Sequence, residues 1–279
     1  MILNPTVLDL RRSLVMGILN VTPDSFYADS RTFCCEQVME RVADFVAQGA
    51  DIIDVGGYSS RQGAEDVGLE EEWRRVSMAL DVVASIDRGV VISIDTFRAE
   101  IVRRAVAKYG AIIVNDISAG EADENMLAVV AEHKLYYVAM HMRGLPSTMS
   151  QLTQYDGGVV RGVVDYFGQR IEHILAAGVA KERLILDPGF GFAKSVEQNW
   201  ELLASLDELR RLGYPLLVGV SRKSMIYKPL GITAEESVAG SLALAWEVLR
   251  GGNAILRVHD VAPTRQIVEL ANYYKEYRG

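Results

Sequence analysis

The chain is 279 residues long, 49% apolar and 24% charged, a composition that supports a large core and argues against disorder. Its 29 Lys plus Arg against 37 Asp plus Glu leave a net charge of −8, which argues against general binding to nucleic acid or anionic lipid. Adjacent Cys34 and Cys35 cannot frame a disulfide scaffold. No apolar run approaches the roughly 18 residues of a membrane span. Asp9, Arg11 and Arg12 precede the first apolar stretch, the wrong order for a short signal peptide, so a soluble cytoplasmic protein is expected.

In chain order, strand-like and helix-like runs alternate. A strand at 14–20 leads to a helix at 35–48, and a strand at 51–55 to a helix at 70–86. In that second helix Trp73, Val76, Leu80 and Val83 recur at three- and four-residue steps. The next strand–helix pairs are 91–95 with 98–108, 112–115 with 124–133, and 136–141 with 158–177. The last three are 184–187 with 196–212, 216–219 with 234–250, and 254–258 with 261–275. Ser195 with Gln198, and Thr233 with Glu236, have capping-box spacing, and Asp260 is a candidate N-cap. Eight strands alternating with eight helices predict a parallel sheet, and the nearly continuous apolar strands suit burial on both faces. A doubly wound open sheet is the rival. The first strand lacks the glycine fingerprint common there, so a single (β/α)8 TIM barrel with its active site at the C-terminal mouth is favoured.

Every strand exit carries polar residues: Asn20, Asp54, Asp95, Asn115 with Asp116, His141, Asp187, Ser221-Arg222-Lys223, and Arg257 with His259. Asp and Asn are good helix caps, but Arg and Lys are not, so capping does not account for all eight. Carboxylates and an amide at exits two, three, four and six suit a ligand edge rich in N–H donors. The cations Arg222, Lys223, Arg257 and His259 at exits seven and eight suit an anion, unless some of these charges pair with one another. Together they predict a phosphorylated nitrogen heterocycle. Other motifs fail: residues 189–195 miss the P-loop glycines, the four histidines lack zinc spacing, and no Ser sits in a nucleophile elbow.

Seven segments resemble the signatures of the dihydropteroate synthase family: GILNVTPDSF at 17–26, DVGGYSSR at 54–61, IDT at 94–96, VND at 114–116, DPGFGF at 187–192, SRKS at 221–224 and RVHD at 257–260. The resemblance covers roughly residues 14–270 and implies one pterin-binding (β/α)8 barrel domain over 1–279. It implies an enzyme that joins 4-aminobenzoate to 7,8-dihydropterin-6-ylmethyl diphosphate, with Mg²⁺ as cofactor and diphosphate as the product released. It also implies a homodimer through the late helices, a reading that the almost all-round apolar stretch 238–249 supports on its own. By motif position, Asp95, Asn115, Met140, Asp187, Phe190, Lys223 and Arg257 are implied to bind the pterin. Asp95, Asp187, Lys223 and Arg257 are implied to carry the catalytic role. Asn20, Arg61, Arg257 and His259 are implied for the diphosphate, with Asn20 also at the metal. Phe26, Ser60, Arg61 and Ser221 are implied for the aminobenzoate.

The pattern departs from the family in three places. Tyr27-Ala28-Asp29-Ser30 replaces a glycine-bearing stretch and leaves open whether Asp24 or Asp29 reaches the metal. Gln62 stands where a proline is usual, and Ala193 replaces a glycine. Two rival functions are a pterin-binding methyltransferase-type barrel and a non-catalytic pterin-binding paralogue. The first would not need the first two loops or the exit-eight cations, and the altered first loop is the only support for the second. Strand-end residues predict a preformed pterin pocket. Residues on loops predict an aminobenzoate side completed after the diphosphate is bound.

Overall fold

The structure, a computed structural model, describes residues 8–22, 31–58, 67–86, 89–144 and 148–277. Eight strands form one parallel sheet: β1 Leu14–Asn20, β2 Ile52–Gly56, β3 Val91–Asp95, β4 Ile113–Asp116, β5 Tyr136–Met140, β6 Leu184–Asp187, β7 Leu217–Val218 and β8 Ile255–Val258. Their spatial order is β6-β5-β4-β3-β2-β1-β8-β7. A parallel bridge between Leu186 and Leu216 joins the two ends of that order, with the Leu186 N–H donating to Pro215 O at 2.9 Å. The result is the (β/α)8 barrel expected from the alternation.

The helices are α1 Arg31–Ala47, α2 Leu69–Ile86, α3 Ala99–Tyr109, α4 Met126–Glu132, α5 Val159–Ala176, α6 Val196–Ala204, α7 Leu206–Arg210, α8 Ser224–Leu230, α9 Val238–Gly251 and α10 Val261–Tyr277. Glu70, Glu71 and Glu72 lie in the first turn of α2, where the helix dipole favours acids, and Val76, Ala79, Leu80 and Val83 form its buried stripe. Ser195 and Gln198 make a reciprocal capping box at the start of α6. Thr233 and Glu236 exchange the same pair of bonds, at 2.9 and 3.3 Å, ahead of α9.

Three expectations change. The helix expected at 196–212 is two helices, broken at Ser205. An extra helix, α8, follows β7; Lys223 just precedes it, and Pro229 lies near its end. Asp260 does not cap α10 with its side chain: both of its carboxylate oxygens take the Arg222 guanidinium, at 2.9 and 2.5 Å.

The core has two parts. Between strands and helices lies a large apolar layer that includes Phe45, Leu80, Ile94, Tyr137 and Phe167. Inside the barrel lies a smaller plug to which every strand contributes: Leu14, Met16, Ile52, Val91, Ile113, Val138, Ile185, Leu217 and Ile255. This plug sets the site. Side chains alternate along a strand, so residues two positions past an inward one also point inward, nearer the mouth. From the plug residues that step reaches Ile18, Asp54, Ser93, Asn115, Met140, Asp187, Gly219 and Arg257, and a second step reaches Asn20 and Asp95. The bottom of the barrel is thus apolar and the top polar.

Candidate active site

At the mouth is a cavity of about 380 Å³ lined by Asn20, Asp95, Phe190, Ser221, Lys223, Arg257 and His259, all of them site residues expected from the sequence. Asn115, Met140 and Asp187 lie off this wall and are 3%, 3% and 7% exposed, so they form a deeper layer. Phe26, Ser60 and Arg61 lie outside the described residues. The cavity is also lined by Tyr58, Phe192, Ser224 and Tyr227, none of which the sequence reading assigned. Ser224 was within reach of it, since it ends the SRKS motif; Phe192 likewise ends DPGFGF.

Arg257 organises the mouth. Its Nε donates to Asp54 Oδ2 and its Nη2 to Asp95 Oδ2, each at 2.7 Å. Asp54 is fully buried and also accepts from Ser93 Oγ at 2.6 Å and Asn115 Nδ2 at 3.0 Å. Burial raises Asp95, to about 7; the nearby Arg257 opposes the rise, and Asp54, Glu72 and Asp116 add to it. The ion pair alone implies a lowered value. Removal from water and the neighbouring carboxylates outweigh it.

Opposite stands Lys223, which donates to the Phe190 carbonyl and lies 5.0 Å above the Phe192 ring. Burial pulls it down to about 8, with Asp187 opposing and Arg257 assisting. Burial raises Asp187, against the pull of Lys223 and of the Gly189 N–H that it accepts at 2.8 Å. The turn after Asp187 is tight. A Cβ on Gly189, where φ is +68°, would lie 2.0 Å from His141 O. Lys194 ties this turn down by donating to Gly189 O at 2.9 Å and Phe192 O at 3.0 Å, with His141 Nδ1 also 2.9 Å away. Burial holds the His141 ring down to about 2, with Lys194 adding to the effect, so His141 is neutral and structural.

The expected basic half is smaller than the sequence suggested. Arg222 is paired with Asp260, and Arg257 with two carboxylates. Charges at the mouth do pair with one another, and an anion meets a neutralised rim with specific donors. Among the described residues, Arg257 Nη1 carries no hydrogen bond. Ser221 Oγ and His259 Nδ1 are 3.1 Å apart and link exits seven and eight.

A mouth of buried acceptors facing a lysine and an arginine is what a barrel for a donor-rich heterocycle needs. Residues 16–259 match the family described as pterin binding enzyme. A dihydropteroate synthase from Synechocystis sp. is 44% identical over 263 residues, which is 94% of this chain and 90% of the relative. The Yersinia pestis dihydropteroate synthase, solved in complex with a sulfonamide drug, superposes with a TM-score of 0.90 at 37% identity and covers 98% of both chains. The Xanthomonas albilineans enzyme, solved with 4-aminobenzoic acid, superposes at 0.88 with 39% identity, covering 96% of this chain and 95% of that one.

The barrel is thus that of a pterin-binding enzyme. Within that class, the chain belongs to the dihydropteroate synthase family, transferases that make dihydropteroate in folate synthesis.

Proposed function

We propose the following division of labour at the mouth. Asp95, Asn115 and Asp187 accept the N–H edge of a 7,8-dihydropterin, while Lys223 donates to a ring acceptor. Met140 and Phe190 supply the apolar wall. Arg257 and His259, with Asn20 and Arg61, take the diphosphate. Ser221, with Phe26, Ser60 and Arg61, takes 4-aminobenzoate. The observation that carries this reading is the split between buried acceptors on β3, β4 and β6 and donors at the β7 and β8 exits.

The amine of aminobenzoate is neutral at pH 7 and weak, because its lone pair is delocalised into the ring. A general base gains little. The harder step is cleavage of the C–O bond at the pterin methylene. Arg257 and His259 stabilise the leaving diphosphate, while the carboxylates of Asp95 and Asp187 favour positive charge on the electron-rich pterin. Substitution is therefore dissociative, and the protein contributes positioning and electrostatics.

The residues fit Mg²⁺ brought with the diphosphate. Among the described residues no cluster of three His, Cys, Asp or Glu could hold a metal. Mg²⁺ keeps several waters, however, and commonly takes one or two protein oxygens plus substrate phosphates. Asn20 supplies one such oxygen beside Arg257 and His259, and a Cβ on Gly56 would come within 3.3 Å of it. Bound there, Mg²⁺ would neutralise charge on the departing diphosphate.

Incorporation of radiolabelled 4-aminobenzoate into dihydropteroate tests the reading. Asp187→Ala and His259→Ala should each lose at least tenfold in rate. Wild-type rates in both would overturn the assignment.

We also read the chain as one cytoplasmic domain that forms a homodimer. No described helix is long and apolar enough to cross a membrane. On α10, Leu270, Tyr273 and Tyr277 are 57%, 60% and 73% exposed, and the ring of Tyr274 on the same helix lies 5.6 Å from that of Trp246 of α9. Such a patch favours a partner. Light scattering that gives a monomer at micromolar concentration would count against the dimer.

A further inference from the structure

Asp54 has no place in the division of labour above, yet three side chains from three other strands donate to it. It is fully buried and is not part of the cavity wall. Its Oδ1 accepts from Ser93, and its Oδ2 accepts from both Asn115 Nδ2 and Arg257 Nε. Strands β2, β3, β4 and β8 thus meet at one side chain.

We infer that Asp54 is a positioning residue that fixes the hydrogen-bonding polarity of the pterin pocket through the Asn115 amide. A carboxylate is acceptor-only, so the amide can meet it only through its NH₂ end. That choice leaves Asn115 Oδ1 as the uncommitted atom: among the described residues, no hydrogen bond reaches it. A neutral amide is otherwise ambiguous, because a half-turn about its last torsion exchanges acceptor for donor. With Asp54 beneath it, the half-turn would set oxygen against oxygen between two buried side chains, and the cost of an unpaired buried acceptor pair excludes it.

Asn115 therefore acts with Asp95 and Asp187 as a third acceptor. A ligand must bring donors to all three, as the amino-pyrimidinone edge of a pterin does. A ring with a carbonyl oxygen in place of one of those donors meets oxygen against oxygen and is rejected. The same Asp54 oxygen holds Nε of Arg257, so ring recognition and the pose of the diphosphate-binding cation share one anchor. This rests on the assignment of Asn115 to the pterin site.

Two measurements test it. The first uses the wild-type enzyme with ¹⁵N-labelled asparagine. Its Asn115 side-chain amide should show one exchange-protected proton, and that protection should persist when 6-hydroxymethyl-7,8-dihydropterin is added. Loss of protection on binding would mean that the amide turns to donate to the ligand, and the inference would fall.

The second is a double-mutant cycle in calorimetry with the same dihydropterin, scoring folded protein only. Asp54→Ala should weaken binding at least tenfold in the wild-type background and less than threefold in an Asn115→Ala background. Asp54→Asn, whose oxygen can still accept both donors, should recover most of the loss. A merely structural Asp54 would lower the melting temperature and give equal losses in both backgrounds, which overturns the proposal. If Asn115→Ala alone leaves affinity unchanged, the assignment of Asn115 itself fails. If Asn115→Ala loses affinity and Asp54→Ala does not, only the role of Asp54 fails.

Discussion

Arg257 Nη2 donates to Asp95 Oδ2 at 2.7 Å, which joins the last strand of the barrel to the third across the mouth. The contact places the cation proposed for the diphosphate and a carboxylate proposed for the pterin in one ion pair. Arg257→Ala should therefore do two things. Leaving Asp54 and Asp95 without their cation should cost about 3–5 kcal/mol of stability, the usual penalty for stranding a buried charge. It should also weaken both pterin diphosphate and the pterin without its diphosphate. Calorimetry with both ligands and a thermal melt check this. A loss confined to the diphosphate form, with an unchanged melt, would show that the pair does not organise the ring pocket.

Asp95 gives the site a pH dependence. Burial holds it above the ordinary carboxylate range, at about 7, despite Arg257. A raised folded-state value means that the folded protein keeps a proton which the unfolded chain releases between pH 3.8 and about 7. The stabilising share is present on the acid side and is lost as pH rises toward 7. On the proposed role of Asp95, binding runs the other way, because a pterin N–H needs the ionised acceptor. Dihydropterin affinity should fall several-fold from pH 8 to pH 6, and Asp95→Asn should flatten the profile. An unchanged slope in Asp95→Asn would assign the titration to another group.

Much of this site was legible because barrels convert sequence order into geometry. The exit positions of Asn20, Asp95, Arg257 and His259 follow from strand ends alone, and the structure brings them to one cavity. What the sequence could not show is pairing. Asp260 looks like a helix cap because local spacing is all that a sequence displays, whereas its partner Arg222 is 38 residues away. Asp54 stood out as polar but without a role, since its three donors come from three other strands. Helix α8 went unseen because Pro229 and Gly231 mark its short span as a turn.

Ala193 is a departure whose consequence the backbone makes explicit. The family usually has glycine there, and Ala193 sits at φ +52°, in the left-handed region. Left-handed geometry costs an L-residue about 1–2 kcal/mol, partly offset by the roughly 0.5–1 kcal/mol that alanine saves in unfolded-chain entropy. Ala193→Gly should therefore stabilise the protein by about 0.5 kcal/mol, read as a higher denaturation midpoint at unchanged m-value. A lower midpoint would mean that packing of the buried methyl outweighs backbone strain.

On the proposed assignment of the site, the Ser221–His259 contact predicts ordered binding. The two atoms Ser221 Oγ and His259 Nδ1 are 3.1 Å apart, and Ser221 Oγ also accepts the His259 backbone N–H at 3.3 Å. With a neutral ring whose Nδ1 accepts, the hydroxyl proton is committed to His259. A diphosphate at the site proposed for it would favour a ring that donates from Nδ1 instead. The hydroxyl would then accept from both His259 groups, and its proton would turn to the carboxylate of a 4-aminobenzoate bound as proposed. Aminobenzoate should bind at least tenfold more tightly to enzyme holding pterin, diphosphate and Mg²⁺ than to free enzyme. Ser221→Ala and His259→Ala should each remove most of that difference. Calorimetric titration of the three proteins in both states decides the matter. Equal affinity in the two states of the wild type would show that the diphosphate does not prepare the aminobenzoate side, and the order of binding would have to be given up.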